Sequence, residues 1–277
     1  MALRDLLCIV EATEKPSKIA VEQAQALARG HDALLSVIVV APQVSPPYSF
    51  LGPTTVGGIL QTENEKARKR AETLAADLKS TLAKTGVSGE VELGLDAFPN
   101  LLRTIKRHSF CNDLTVVDRP GGVLDHSELI FEEVLFEAAY PVMVAVPDRE
   151  PVENVEKIAF AWDGSIHAVR ALAATLGLFD VKEADVIVVK GEKDLSASVP
   201  GARVAAHLER HGAKAKVVEV SAEKSGVAAT IDEHAAKAKA DLIVLGGFGR
   251  SRLREFILGG VTRELSRRAR TPLLLAH

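Results

Sequence analysis

The sequence predicts an α/β protein in which short buried strands alternate with helices and form a parallel sheet. Several predicted strands are almost wholly apolar, such as 185–189 and 241–245, each of which has four apolar residues after an aspartate. Such runs are typical of strands covered on both faces. Helices of roughly 10–15 residues separate them, which favours parallel connections. The same order of elements occurs in both halves of the 277 residues, so we predict two domains, 1–148 and 154–277.

The second half contains the clearer set of elements. Its predicted strands are 157–162, 185–189, 216–220, 241–245 and 272–276, and its predicted helices are 166–179, 201–211, 226–240 and 260–270. The first of these helices is amphipathic and the third is rich in alanine, as expected for helices that pack on a sheet.

The first half repeats this pattern. Its predicted strands are 6–10, 34–40, 89–94, 113–117 and 142–146. Local sequence echoes support the repeat, because 113–117 is similar to 241–245, and 140–144 is similar to 271–275. Residues 147–151 are polar with a proline at each end, which predicts a linker.

One segment breaks the symmetry between the halves. Residues 42–62 are rich in proline and glycine, whereas the second half has only a short polar counterpart near 191–200. Long loops in compact domains are often lids or contact surfaces. A tolerated surface insertion explains the segment equally well, so both interpretations stay open.

Composition excludes several classes of function. The formal net charge is −3 and no basic arm is present, which argues against nucleic acid or an anionic membrane as a partner. The apolar run 6–10 is much shorter than a membrane span and lacks the flanks of a signal peptide. We therefore expect a soluble, cytoplasmic protein.

Cys8 and Cys111 are interpreted as small apolar residues in or beside strands, without the spacing of a zinc site.

The glycines near the end of the chain are the most informative motif. Leu245 ends a predicted strand, and Gly246, Gly247 and Gly249 follow it. After nine further residues, Gly259 and Gly260 open the last predicted helix. Glycines let the backbone approach a ligand closely, and a helix start offers unpaired N–H groups. The arrangement predicts a phosphate site. Arg250 and Arg252 flank the glycine turn and can reach phosphate oxygens, or they are solvated surface charges.

The first strand of the second half ends at the same predicted edge of the sheet. Asp163 follows it, in the run Asp163-Gly164-Ser165. Its carboxylate can accept a hydrogen bond from a ribose hydroxyl or the adenine edge, or help to hold a metal beside the phosphates. Alternatively, Asp163 is the N-cap of the next helix. Trp162, the only tryptophan, lies against a base or belongs to the core or a domain interface.

These residues resemble the nucleotide-binding motif of the universal stress protein family. That motif is Gly-x-x-Gly, nine residues, then Gly-Ser/Thr, and this chain has Gly246-x-x-Gly249, nine residues, then Gly259-Gly260. The family's usual Asp-Gly-Ser matches residues 163–165. Because both halves share one order of elements, the whole chain resembles a tandem universal stress protein.

The resemblance implies two Rossmann-like domains of the adenine nucleotide alpha hydrolase type, each with a five-stranded parallel sheet of order 3-2-1-4-5. It implies ATP, or ADP or AMP, with or without magnesium, in the second domain. The implied binding residues are Ala161, Trp162, Asp163, Gly191, Leu245, Gly246, Gly249, Arg250, Ser251, Gly259, Gly260 and Val261. Gly260 departs from the family's Ser or Thr. Loss of that hydroxyl removes about 1 kcal/mol of hydrogen bonding, which Thr262 can partly replace.

The first half lacks the motif. Residues 11–13 read Glu-Ala-Thr in place of Asp-Gly-Ser, and 118–122 replace the glycine turn. Glu132 and Glu133 follow the predicted start of the last helix, near residue 127, and carboxylates there repel a phosphate. We therefore expect the first half to be structural or regulatory.

Three functions are compatible with these observations. The first is a stress or signalling module that holds a nucleotide and is at most a slow ATPase, since no Walker-type lysine motif is present. The second is a nucleotide-free interaction protein that works through a pseudo-dimer surface. The third, an adenylating enzyme or a flavoprotein subunit, needs signature residues that the chain lacks. Exposed edge strands also predict a homodimer.

Overall fold

The computed structural model describes residues 3–44, 56–122, 125–138, 140–190, 199–222, 225–247 and 260–277. The elements of the first half are β1 (Asp5–Glu11), α1 (Ile19–His31), β2 (Leu34–Val40), α2 (Val56–Thr85), β3 (Gly89–Gly94), α3 (Phe98–Ser109), β4 (Leu114–Val117), α4 (His126–Glu137) and β5 (Val142–Val144). Those of the second half are β6 (Lys157–Ala161), α5 (Ile166–Leu178), β7 (Glu183–Lys190), α6 (Gly201–Arg210), β8 (Lys214–Ser221), α7 (Val227–Ala238), β9 (Leu242–Gly246), α8 (Gly260–Arg268) and β10 (Leu273–Ala276).

The strands form one continuous sheet in the order β3-β2-β1-β4-β5-β10-β9-β6-β7-β8. All neighbouring strands are parallel except β5 and β10, which pair antiparallel with Leu274 opposite Met143. Parallel strands need crossover connections, which the helices supply. The predicted α/β class with a mostly parallel sheet is therefore confirmed, and the last strands of the two halves meet at its centre.

Apolar side chains cover both faces of this sheet. One cluster joins α1 and α2 to α5 and α6, with Leu27, Leu74 and Phe160 among its members. The other cluster joins α3 and α4 to α7 and α8 and includes Phe131 and Leu265. Each cluster contains residues from both halves, so neither half has a core of its own that is separate from the other.

The segment predicted as a long loop is partly helical. The helix α2 begins at Val56, so residues 56–62 are not loop, and the Thr62 hydroxyl donates a hydrogen bond to the Gly58 carbonyl at 2.9 Å. Two glycines near the start of a 30-residue helix cost little against the good helix formers that follow. Residues 45–55 lie outside the described part of the chain.

Two further expectations change. The strands β7 and β8 are longer than predicted, because charged residues at their ends pair across strands, as Lys190 does with Glu219 at 2.6 Å. Cys111 is exposed after α3 and is not an apolar core residue, whereas Cys8 is buried in β1, where burial raises the pKa of its thiol.

No helix in the described residues is long and apolar enough to cross a membrane.

Candidate functional site

Ala161 and Trp162, at the end of β6, differ in how deeply they are buried. Ala161 is half-buried and pairs with Ile187 of β7. Trp162 is only 6% exposed, and its indole N–H donates to the Val199 carbonyl at 2.9 Å. Its ring lies 5.9 Å from that of Phe160. The observed contacts of Trp162 are those of a core residue that closes the end of the strand.

Asp163 lies half-buried at the entrance to α5. Its Oδ1 accepts the N–H of Ser165 at 3.0 Å, and the Ser165 hydroxyl accepts the N–H of Ala168 at 3.1 Å. The N-cap of α5 is therefore Ser165, and the alternative that Asp163 is the N-cap is wrong. A carboxylate has two oxygens, each with lone pairs, so its hydrogen bond to Ser165 does not exhaust its capacity as an acceptor.

The end of β9 packs closely against its neighbours. Leu245 is buried below the edge of the sheet. A Cβ on Gly246 would lie 2.6 Å from the backbone nitrogen of Ala168, so only glycine lets the start of α5 approach the strand this closely. The N–H of Gly247 donates to the Ala276 carbonyl at 2.8 Å. A Cβ on Gly247 would lie 2.8 Å from a methyl carbon of Leu135 in α4. Close packing alone therefore accounts for both glycines.

The start of α8 is more open. Gly260 is exposed, and a Cβ placed on it would meet no atom of the described residues within 4 Å. Val261 is half-buried and Thr262 is buried. The first N–H groups of a helix have no partner within that helix, so this turn can donate hydrogen bonds to an anion. Gly191, Gly249, Arg250, Ser251, Arg252 and Gly259 lie outside the residues that the structure describes.

A histidine pair at this edge was missed by the sequence analysis. His167, in the first turn of α5, stacks on His277 with ring centroids 4.4 Å apart and an interplanar angle of 16°. Phe136 of α4 contacts the edge of the His277 ring at 5.1 Å. Burial, followed by the charge of Arg170, lowers the pKa of His167, and Asp163 opposes this shift. The position of His167 two residues after Asp163-Gly164-Ser165 is the signal that could have identified it.

The corresponding edge of the first half is closed by protein carboxylates. By strand register, Glu11 is equivalent to Asp163 and Asp118 to Gly246. The Oδ1 of Asp118 accepts the Ser17 hydroxyl at 2.8 Å and the N–H of Ala20 at 3.0 Å. It therefore occupies the start of α1. Glu11 lies 3.0 Å from Nδ1 of His126, which opens α4. Asp118 thus accepts a backbone N–H at the start of α1, and Glu11 contacts the side chain of the first residue of α4.

Comparison with known proteins finds a family model that matches the second half of the chain. Residues 142–277 match the model of the Universal stress protein family. The matched segment begins at β5 and contains the whole second half, so it includes both central strands of the sheet. No curated protein matches the chain.

Two solved structures match both halves of the chain. The universal stress protein from Archaeoglobus fulgidus DSM 4304 has a TM-score of 0.65 and 16% identity, covering 98% of this chain and 97% of that one. A functionally unknown protein from Pseudomonas aeruginosa PAO1 has a TM-score of 0.59 and 15% identity, covering 99% and 92%. At these identities the likeness concerns the fold alone.

A third structure matches only part of the chain. The universal stress protein family protein from Arabidopsis thaliana, which contains AMP, covers 51% of this chain and 90% of its own, at 18% identity. Its TM-score is 0.34, and its ligand is therefore not carried over to this chain.

Residues 142–277 are joined to the first half by an ion pair and a hydrogen bond near the end of α8. Glu128 of α4 is bound by two nitrogens of Arg267 in α8, at 3.0 and 3.2 Å. The guanidinium of Arg119 donates to the Ala269 carbonyl at the end of α8. Burial raises the pKa of Glu132, and the neighbouring Glu128 raises it further. Glu128 of α4 therefore holds an arginine of the second half directly, whereas Glu137 at the end of the same helix pairs with Lys106 of the first half.

Proposed function

We propose that residues 142–277 bind an adenine nucleotide, ATP or its relatives ADP and AMP, at the carboxyl edge of the second half of the sheet. The observation that supports this most directly is the open space beside Gly260, where α8 begins. The strand β9 ends in Gly246 and Gly247 at the same edge, and ligands of parallel sheets bind beyond the carboxyl ends of the strands. The match to the Universal stress protein family model favours the same assignment.

Each binding residue then has a defined role. The first-turn N–H groups of Gly260 and Val261 bind phosphate, aided by the positive end of the helix dipole. The carboxylate of Asp163 accepts a ribose hydroxyl, while Leu245 and Ala161 support the base from below. We also assign Gly191, Gly249, Arg250, Ser251 and Gly259 to this site. Magnesium, where bound, neutralises phosphate charge. We propose that the bound nucleotide acts as a signalling ligand that is hydrolysed slowly at most.

We also propose that the two halves are tandem domains, 1–148 and 154–277, each with the strand order 3-2-1-4-5. Antiparallel pairing of β5 with β10 is what a two-fold relation between equivalent strands produces. The first half, closed by Glu11 and Asp118, is then structural or regulatory. The edge strands β3 and β8 offer backbone groups through which two chains can pair.

The first experiment is to denature the purified protein and identify any released nucleotide by chromatography and mass spectrometry. We expect about one adenine nucleotide per chain from the single predicted site. The variant Gly260→Asp should lose the nucleotide, because its carboxylate repels phosphate while the negative charge stabilises the start of α8. Gly260→Asn, whose new side chain is the same size and uncharged, is the matched control and should keep it.

A nucleotide-free interaction protein is the second candidate. The observation that favours it is that close packing alone explains Gly246 and Gly247, so these glycines do not require a ligand. Wild-type protein that is purified empty and does not bind added ATP with magnesium would contradict nucleotide binding and support this candidate. Equal binding by the Gly260→Asp and Gly260→Asn variants would place any nucleotide away from α8.

A further inference from the structure

A polar cleft lies at the opposite edge of the sheet, in the first half. It has a volume of about 490 Å³ and is bordered by the amino ends of β1, β2 and β3 and by the end of α3. Asp5, Ser36 and Glu90 line its floor on the strands, while Arg107 and Cys111 line its wall. This volume lies within the range of small-molecule sites, which is about 300–1,000 Å³.

The described residues offer the charges of this cleft no ion-pair partner. Among the described residues, none of Asp5, Glu90 and Arg107 takes part in an ion pair. Glu90 accepts only the hydroxyl of Ser36, at 3.2 Å. Two carboxylates and one guanidinium therefore surround one open space with no ion-pair partner in the described part of the chain.

The equivalent positions of the second half are neutralised. Strand register makes Lys157, Asp185 and Lys216 the counterparts of Asp5, Ser36 and Glu90. There Asp185 is bound by His234 at 2.7 Å and Lys216 at 3.4 Å, and Lys157 pairs with Glu183 at 3.1 Å. Charges at this place in the fold are therefore paired internally in one half and left unpaired in the other.

We propose that the cleft binds a small organic molecule carrying two ammonium groups and one carboxylate. One ammonium group meets Asp5, the other meets Glu90, and the carboxylate meets the guanidinium of Arg107, which binds carboxylates in a two-bonded geometry. The strands β1 and β3 lie two strand spacings apart, so their carboxylates are separated by roughly 10 Å. Ammonium groups at the two ends of a short aliphatic chain can reach both. This site is independent of the nucleotide site.

The probe is L-lysine, titrated into the full chain by calorimetry. L-norleucine lacks the second ammonium group and cadaverine lacks the carboxylate, so we expect each to bind at least about tenfold more weakly. Cys111 supplies a second readout, because bound L-lysine should slow its alkylation by iodoacetamide. The only other cysteine, Cys8, is buried and serves as the unreactive internal reference in intact-mass spectra.

Substitutions locate the site. Glu90→Gln and Arg107→Gln should each weaken L-lysine binding about tenfold or more, since each removes a charged partner. Glu233→Gln on α7, which removes an exposed carboxylate outside the cleft, should leave binding unchanged. The proposal is overturned if L-lysine gives neither heat nor protection of Cys111, if the three probes bind equally, or if Glu233→Gln weakens binding as much as Glu90→Gln. None of these results bears on adenine nucleotide released from the protein.

Discussion

Asp118 and Gly246 occupy equivalent positions at the ends of β4 and β9, and they meet the following helix start in opposite ways. Gly246 lets the backbone of α5 approach the strand directly. Asp118 instead extends a carboxylate that accepts the N–H of Ala20 in α1 at 3.0 Å. The residue at this position therefore offers the helix start a carboxylate in the first half and a close backbone contact in the second.

The buried carboxyl of Asp118 should make stability depend on pH. Burial raises the pKa of Asp118 above its ordinary value of 3.8, and the hydrogen bonds from Ser17 and Ala20 only partly oppose this shift. Because the folded-state pKa is the higher one, the folded protein binds more protons between the two values. The contribution of Asp118 is therefore fully present below pH 3.8 and is lost as pH rises through the folded-state pKa.

Asp118→Asn should keep both hydrogen bonds and remove this titration. The free energy of unfolding of the variant, minus that of the wild type, should therefore increase from about pH 4 to about pH 7. Urea denaturation across this range measures the difference. A difference that is constant with pH, or that decreases, would show that burial does not govern this carboxyl.

Among the elements, α8, which opens at the proposed nucleotide site, is linked to α4 by an ion pair. The helix that opens at Gly260 is held at its other end by Glu128, whose side chain is 5% exposed. Glu128→Gln leaves the guanidinium of Arg267 without its charged partner in a largely buried place. We expect a loss of about 3 kcal/mol in the free energy of unfolding, measured by urea denaturation.

The same helix provides the matched control. Glu137 lies at the end of α4 and pairs with Lys106, with its side chain 53% exposed. Exposed pairs contribute little, so Glu137→Gln should change the free energy of unfolding by less than about 0.5 kcal/mol. Equal effects of the two substitutions would show that the pair between Glu128 and Arg267 adds nothing specific to stability.

Elements with a strong local signal could be predicted from the sequence, and long-range contacts could not. The strands 34–40 and 89–94 were predicted with their observed bounds, because apolar runs and turn residues are local features. The start of α2 was not predicted, because Gly57 and Gly58 are residues typical of loops. Asp163 and Gly246 could be assigned to one edge of the sheet, since parallel strands end together. The stacking of His167 on His277 depends on packing across the sheet, which no local pattern encodes.

At the scale of the whole molecule, both cores cross from one half to the other, so the two halves should unfold as one cooperative unit. The chain supplies one local probe in each half. Fluorescence of Trp162, the only tryptophan, reports the second half. Alkylation of Cys8, buried in β1, reports the first half once the exposed thiol is removed by Cys111→Ser. In urea, both probes should give the same midpoint, as a two-state transition requires.

Glu128→Gln should shift both midpoints equally, because it weakens the ion pair with Arg267 that joins the two halves. Separate midpoints, or a shift in only one of them, would show that the halves are stable independently and that the continuous sheet does not couple them.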